Sequence, residues 1–276
     1  MLVAAPCCLI MFYVMGRMSN EPSVQKESLL TRVVRAWNNV GSNMPPTGSE
    51  RQDVASQTNV DDMLNESNGS ENKKDKVRTG KMLVSCVGDS NTQGHDGFSY
   101  PSVLGAILGD KGTVQNFGAG GTTVSSWSAA PYIATEEHRL SRNIEADYIV
   151  IMFGTNDTGD LVWRDKESFK ADYLALVDDY LSMDCEPEVI LCTPPTPYQT
   201  FTDNNGIVEY GFLTEMFPVE IEAIKEIAQE RDLKVVDIYS FTQNHPEWVE
   251  ADGIHLTAIG YSQMAGQVAA ALPSPN

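Results

Sequence analysis

The chain has 276 residues, 42% of them hydrophobic, enough for one sizeable buried core and for one or two domains. Acidic residues outnumber basic ones 38 to 19, and the resulting formal charge of −19 excludes nucleic acid or an anionic membrane surface as a partner of the folded part. Five cysteines without a CxxC spacing give neither a disulfide framework nor a zinc site, so Cys86, Cys185 and Cys192 are expected as free thiols.

Residues 1–16 carry no charge and form an apolar leader, long for a signal-peptide core and short for the roughly 20 residues of a membrane span. A signal, a membrane anchor and a start codon set too far upstream are the alternatives. The first two imply a secretory route or membrane attachment and the third a cytoplasmic chain. Residues 17–80 are Ser/Asn/Glu/Lys-rich and are expected to be largely disordered, with one short amphipathic helix near 27–37. Two glycosylation sequons, Asn65-Glu66-Ser67 and Asn68-Gly69-Ser70, fall in this stretch.

From residue 81 to 276 the pattern is that of one domain in which apolar runs alternate with helical stretches. Strands are predicted near 82–87, 113–117, 147–153, 188–193 and 234–238, and helices near 99–109, 136–144, 166–182, 214–231 and 257–272. Five strands separated by helices imply an α/β fold, a three-layer α/β/α sandwich around a five-stranded parallel sheet. Such sheets place their chemistry just beyond the carboxyl ends of the strands.

Read in that order, the strand ends carry a consistent set of polar residues. Gly88-Asp89-Ser90 interrupts the first strand and presents Ser90, either as a nucleophile or as part of an ordinary helix cap. The second strand ends in Asn116-Phe117-Gly118-Ala119-Gly120-Gly121, glycines that make a tight turn or leave a backbone N–H open to a substrate oxygen. After the third comes Gly154-Thr155-Asn156-Asp157, where Asn156 either closes an Asx-turn or donates to an oxyanion, while Asp157 anchors the loop. Asp252-Gly253-Ile254-His255 precedes the last helix, and one turn can bring the carboxylate beneath its histidine. His95, His138 and His245 have no such partner nearby in sequence, although His95, five residues after Ser90, is placed to line a pocket.

These four blocks in this order resemble the SGNH hydrolases, the GDSL-type esterase and lipase family, over residues 81–273. The resemblance implies a flavodoxin-like SGNH fold, Ser90 as nucleophile, His255 as base and Asp252 as its partner. It also implies an oxyanion hole of the Ser90 N–H, the Gly121 N–H and the Asn156 side chain, with no metal or organic cofactor. Asn91 stands where the family usually has leucine, a variant similar to that of carbohydrate-active members. Together with Cys192-Thr193-Pro194-Pro195-Thr196-Pro197, it resembles the sialate O-acetylesterase and acetylxylan-esterase-like branch.

The expected function is therefore hydrolysis of a carboxylic ester, an O-acetyl group on a carbohydrate, through an acyl-enzyme on the triad Ser90, His255 and Asp252. A lipid or thioester acylhydrolase on the same residues, and a non-catalytic carbohydrate-binding protein on this fold, are the competing readings. Trp127, Trp163, Tyr198, Phe201 and Trp248 are candidates for contact with a sugar ring, each with the alternative of packing in the core or anchoring a loop. The long segment 194–211 is the candidate substrate-shaping loop.

Overall fold

Apolar residues that alternate across the pleat of the three central strands give this sheet two buried faces, and helices cover both. In the computed structural model, which describes residues 80–198 and 211–273, five strands form one parallel sheet in the order β2-β1-β3-β4-β5. They are β1 Met82–Gly88, β2 Gly112–Gly118, β3 Tyr148–Met152, β4 Glu188–Cys192 and β5 Lys234–Val236. The leader, the region up to residue 79 with both sequons, and residues 199–210 with Phe201 lie outside the described residues.

On one face Val84, Cys86, Tyr148, Val150, Met152 and Ile190 pack with Tyr100, Leu104, Tyr261 and Met264. These helical residues belong to α2 Tyr100–Leu108 and α7 Ala258–Ala271. On the other face Val87, Ile149, Ile151, Phe153 and Leu191 meet Phe169, Tyr173, Val177, Ile224 and Ile227. Those come from α4 Lys166–Leu181 and α5 Phe217–Arg231, with α3 Glu136–Ser141 tied to α4 by Ser141 Oγ and Tyr180 OH at 2.6 Å. Each such fully buried aliphatic or aromatic side chain stabilises the fold by about 1.5–3 kcal/mol, so the two cores decide the architecture. Among the described residues no helix is long and apolar enough to cross a membrane.

Local signals set where these helices begin. The Ser99 hydroxyl accepts from Ser102 N–H at 3.3 Å, and Asp165 accepts from Ser168 N–H at 2.7 Å. Thr257 accepts from Gly260 N–H at 3.2 Å. Two one-turn helices, α1 Ser90–Gln93 and α6 Ile238–Thr242, are absent from the sequence expectation, being too short to show a period. The fifth strand stops at Val236 where 238 was expected, because the Asp237 carboxylate accepts from Ser240 N–H at 3.1 Å and starts α6.

Strand register positions the chemistry. Gly88 of β1 pairs with both Gly118 of β2 and Met152 of β3, and Met152 pairs with Cys192, which pairs with Val236. All five strands thus leave the sheet along one line, and the segments that follow them share one edge. Close approach at that edge requires Gly118: a Cβ there would lie 2.1 Å from Gln93 N and 2.7 Å from Thr92 C, both backbone atoms of α1. Gly118→Ala is therefore expected to destabilise the fold by at least about 1–3 kcal/mol, read as a lower urea midpoint at an unchanged m-value. An unchanged midpoint would show that β2 and α1 are not in this contact.

Candidate active site

At the end of β1 the chain turns into α1, and the two readings of Gly88-Asp89-Ser90 separate. Asp89 is the cap: it is buried and accepts from Asn91 N–H at 2.9 Å. That leaves the Ser90 hydroxyl unused by the helix, and it lies 2.9 Å from His255 Nε2. His255 Nδ1 is in turn 2.6 Å from Asp252 Oδ2, while Asp252 Oδ1 accepts from the N–H groups of Ile254 and His255, both at 2.9 Å. The 252–255 turn thus orients its own imidazole. Its flanks are braced by Glu250 N–H to His255 O at 2.7 Å and by Tyr198 N–H to Gly253 O at 2.7 Å.

Beyond β2, residues 119–122 form a tight turn closed by Thr122 N–H to Ala119 O at 3.4 Å, with Gly121 at φ 75°. A left-handed conformation at this position favours glycine. The Gly121 and Ser90 N–H groups have no acceptor among the described residues, so both remain available to an oxygen at this edge. Asn156, after β3, donates from Nδ2 to Thr122 O at 2.9 Å, and this bond holds its amide against the Gly121 turn. The anchoring expected of Asp157 is visible: its carboxylate accepts from Val124 N–H at 3.2 Å, Ser125 N–H at 3.0 Å and Ser125 Oγ at 2.6 Å. The residues singled out at four strand ends and loops therefore converge. One serine is paired with a histidine and carboxylate, beside a turn with free N–H groups and a side-chain amide.

The electrostatics suit proton transfer. Partial burial of Asp252 opposes its charge, but the hydrogen bonds from the His255 ring and from the two backbone N–H groups prevail and bring the carboxyl down to about 2. The bond to Asp252 raises the His255 pKa above its ordinary 6.5 against the opposing effect of burial.

Ser90, Asp252 and His255 line a cleft of about 340 Å³ together with Gln93, Gly94, His95 and Glu250. His95 is therefore at the pocket, its Nε2 3.0 Å from Leu256 O and its ring centroid 6.3 Å from that of His255. The structure does not bring Trp127, Trp163, Tyr198 or Trp248 into this lining. Trp127 donates to Val162 O at 2.9 Å beneath the Arg164 guanidinium, and Trp163 packs on Phe169 with centroids 6.0 Å apart. Tyr198 donates to Thr242 O at 2.7 Å, and Trp248 stacks on His245 with centroids 3.5 Å apart. These aromatics are held as loop anchors and core edges, the alternative open to each of them. The residues absent from the sequence reading are polar, Gln93 and Glu250, close in sequence to Ser90 and Asp252; Asn116, which opens the second block, gains a role, its Nδ2 donating to Thr92 O at 3.0 Å and Gln93 O at 3.1 Å. Asn116 thus satisfies carbonyls at the end of α1.

Residues 86–263 match the model of the GDSL-like Lipase/Acylhydrolase family. An acetylxylan esterase of Xylanibacter ruminicola is 26% identical over 222 residues, which cover 72% of this chain and 44% of that protein. The chain spans less than half the length of this curated relative. Among solved structures, the lipase/acylhydrolase of Enterococcus faecalis is similar with a TM-score of 0.55 at 19% identity, covering 71% of this chain and 98% of that one. A carbohydrate acetylesterase family member of Sinorhizobium meliloti has a TM-score of 0.56 at 22% identity, with coverage of 69% and 96%. Both share the α/β sandwich.

The His255–Asp252 contact makes a prediction independent of activity. In an NMR titration the His255 ring should titrate above pH 6.5, and in Asp252→Asn its midpoint should fall. Identical midpoints in the two proteins would contradict the pairing.

Proposed function

Because this chain belongs to the GDSL-like lipase/acylhydrolase family, we propose that it hydrolyses carboxylic esters, specifically small O-acetyl groups on carbohydrate, with Ser90 as nucleophile. The observation that carries the reading is the continuous relay from Ser90 Oγ to His255 Nε2 at 2.9 Å and from His255 Nδ1 to Asp252 at 2.6 Å.

The Ser90 oxygen attacks the ester carbonyl as His255 Nε2 takes its proton, and Asp252 stabilises the imidazolium so formed. Negative charge moves to the carbonyl oxygen, where the Ser90 N–H, the Gly121 N–H and the free N–H of the Asn156 amide act as donors. Collapse of the tetrahedral intermediate breaks the bond to the alcohol, which leaves with the proton returned by His255, and Ser90 keeps the acyl group. Water then attacks the acyl-enzyme with His255 again as base, releasing the acid and restoring Ser90.

The cleft supports the acetyl and carbohydrate parts of the reading. Gln93, His95 and Glu250 line the cleft beside Ser90 and His255, and such polar groups suit a hydroxylated alcohol better than an acyl chain. The acetylxylan esterase relative and the carbohydrate acetylesterase neighbour point to the same substrate class.

With p-nitrophenyl acetate, Ser90→Ala should lower kcat by roughly 10⁶-fold. Asn156→Ala should lower it by roughly 10²–10³-fold with little change in KM. Acetylated xylan and acetyl esters should be preferred over octanoyl and longer esters. Hydrolysis that survives Ser90→Ala would remove the mechanism, and a preference for long acyl chains would favour a lipid acylhydrolase instead.

A further inference from the structure

Against the Asn156 turn, outside the lining of the cleft, lies a carboxyl group that the proposed reaction does not use. Glu220 projects from the first turn of α5 and is fully buried. Its carboxyl oxygens have no hydrogen-bond partner among the described residues. It lies against residues 154–157: a Cβ on Gly154 would be 2.9 Å from Glu220 Oε2 and 3.1 Å from Pro194 Cγ. The glycine thus leaves room for the acid. The lysines that pack around α5 are engaged elsewhere, Lys166 with Glu222 and Glu226, Lys170 with Glu226 and Glu230, and Lys225 with Asp237.

The groups that face Glu220 are also acids. Asp157, on the same turn as Gly154, and Asp89, at the end of β1, both act on it, and no cation does among the described residues. Burial comes first in raising all three, with Asp89 up to about 6, Asp157 up to about 7 and Glu220 well above its ordinary 4.5. Donors divide the charge among them. Asp157 accepts three hydrogen bonds, from Val124, Ser125 and the Ser125 hydroxyl. Asp89 accepts from Asn91 N–H, and the Thr155 hydroxyl and the charge of His255 favour its anion. Glu220 has neither donor nor counter-ion, and the positive end of α5 offsets only part of the cost of ionising it.

We propose that Glu220 is a positioning residue, a carboxylic acid kept neutral beneath residues 154–157, where it fixes the turn that aims Asn156 at the reacting centre. The inference rests on the reading of Asn156 as an oxyanion donor. A neutral acid fills the room left by Gly154 as a flat, branched group that needs no counter-ion, whereas an anion beside Asp157 and Asp89 would push the turn apart. The amide of glutamine matches the neutral acid in its flat, branched shape and in carrying no charge. Methionine matches it in volume alone.

The test uses the full chain as wild type, Glu220→Gln and Glu220→Met, with p-nitrophenyl acetate at neutral pH and melting temperature followed across pH. Glu220→Gln should keep kcat within about twofold, while Glu220→Met should lower it by roughly tenfold to 100-fold with KM little changed. A group whose pKa is raised by folding contributes stability that is complete below its unfolded value of 4.5 and declines as pH rises toward its folded value. The melting temperature of the wild type should therefore fall relative to that of Glu220→Gln as pH rises from about 5 to 8. Parallel melting curves, or Glu220→Gln as impaired as Glu220→Met, would overturn the neutral acid. Full kcat in Glu220→Met would overturn the positioning role. A wild-type chain inert toward esters with the melting difference intact would count against the proposed function and support the protonated Glu220.

Discussion

The constraint on which this site depends is the register of five parallel strands. Because Gly88, Gly118, Met152, Cys192 and Val236 are linked by pairing from strand to strand, each strand delivers its next residues to one edge of the sheet. Ser90, Gly121 and Asn156 come from three different loops yet meet without any long loop having to reach across. The fourth contribution, the 252–255 turn, does not follow a strand. It is held by its own bonds between Glu250, Gly253 and His255 and by the Tyr198 N–H. A slip of one residue in β1 would turn Val84 and Cys86 toward the opposite core and carry Ser90 away from His255.

The loops are fastened by carboxylates and amides more than by apolar contact. Asn116 ties β2 to α1, Asn156 ties the third loop to the second, and Asp157 holds the segment that continues from Gly121. These bonds keep donors in place before substrate arrives, which is what stabilisation of a developing oxyanion requires. They also concentrate buried acid behind the site in a chain that already carries −19. The donors proposed for the oxyanion are local and neutral N–H groups, so in that reading the adverse net charge is countered by geometry.

Much of this was legible in the sequence because two signals coincide. Runs such as Tyr148-Ile149-Val150-Ile151-Met152 are buried on both faces, which only a covered parallel strand requires, and the polar residues just after them are where an α/β sheet displays its chemistry. The Asp252–His255 pairing was legible because it is local. What the sequence concealed is long-range or short. One-turn helices have no period, the lining by Gln93 and Glu250 depends on how two loops face each other, and the aromatics found partners within their own loops and neighbouring core. Glu220 did leave a trace: it stands four residues before Ile224 and seven before Ile227, on the apolar stripe of its helix. An acid on that stripe is a buried group whose partners only the fold can name.

The central claim is that Ser90 forms the acyl-enzyme. Its most direct test is covalent capture with a serine-reactive fluorophosphonate followed by peptide mass spectrometry. The account predicts one adduct, on the peptide that contains Ser90, with loss of ester hydrolysis in proportion to labelling and no adduct in His255→Ala. An adduct on Ser125 or another serine, or hydrolysis that persists once Ser90 is fully labelled, would contradict it.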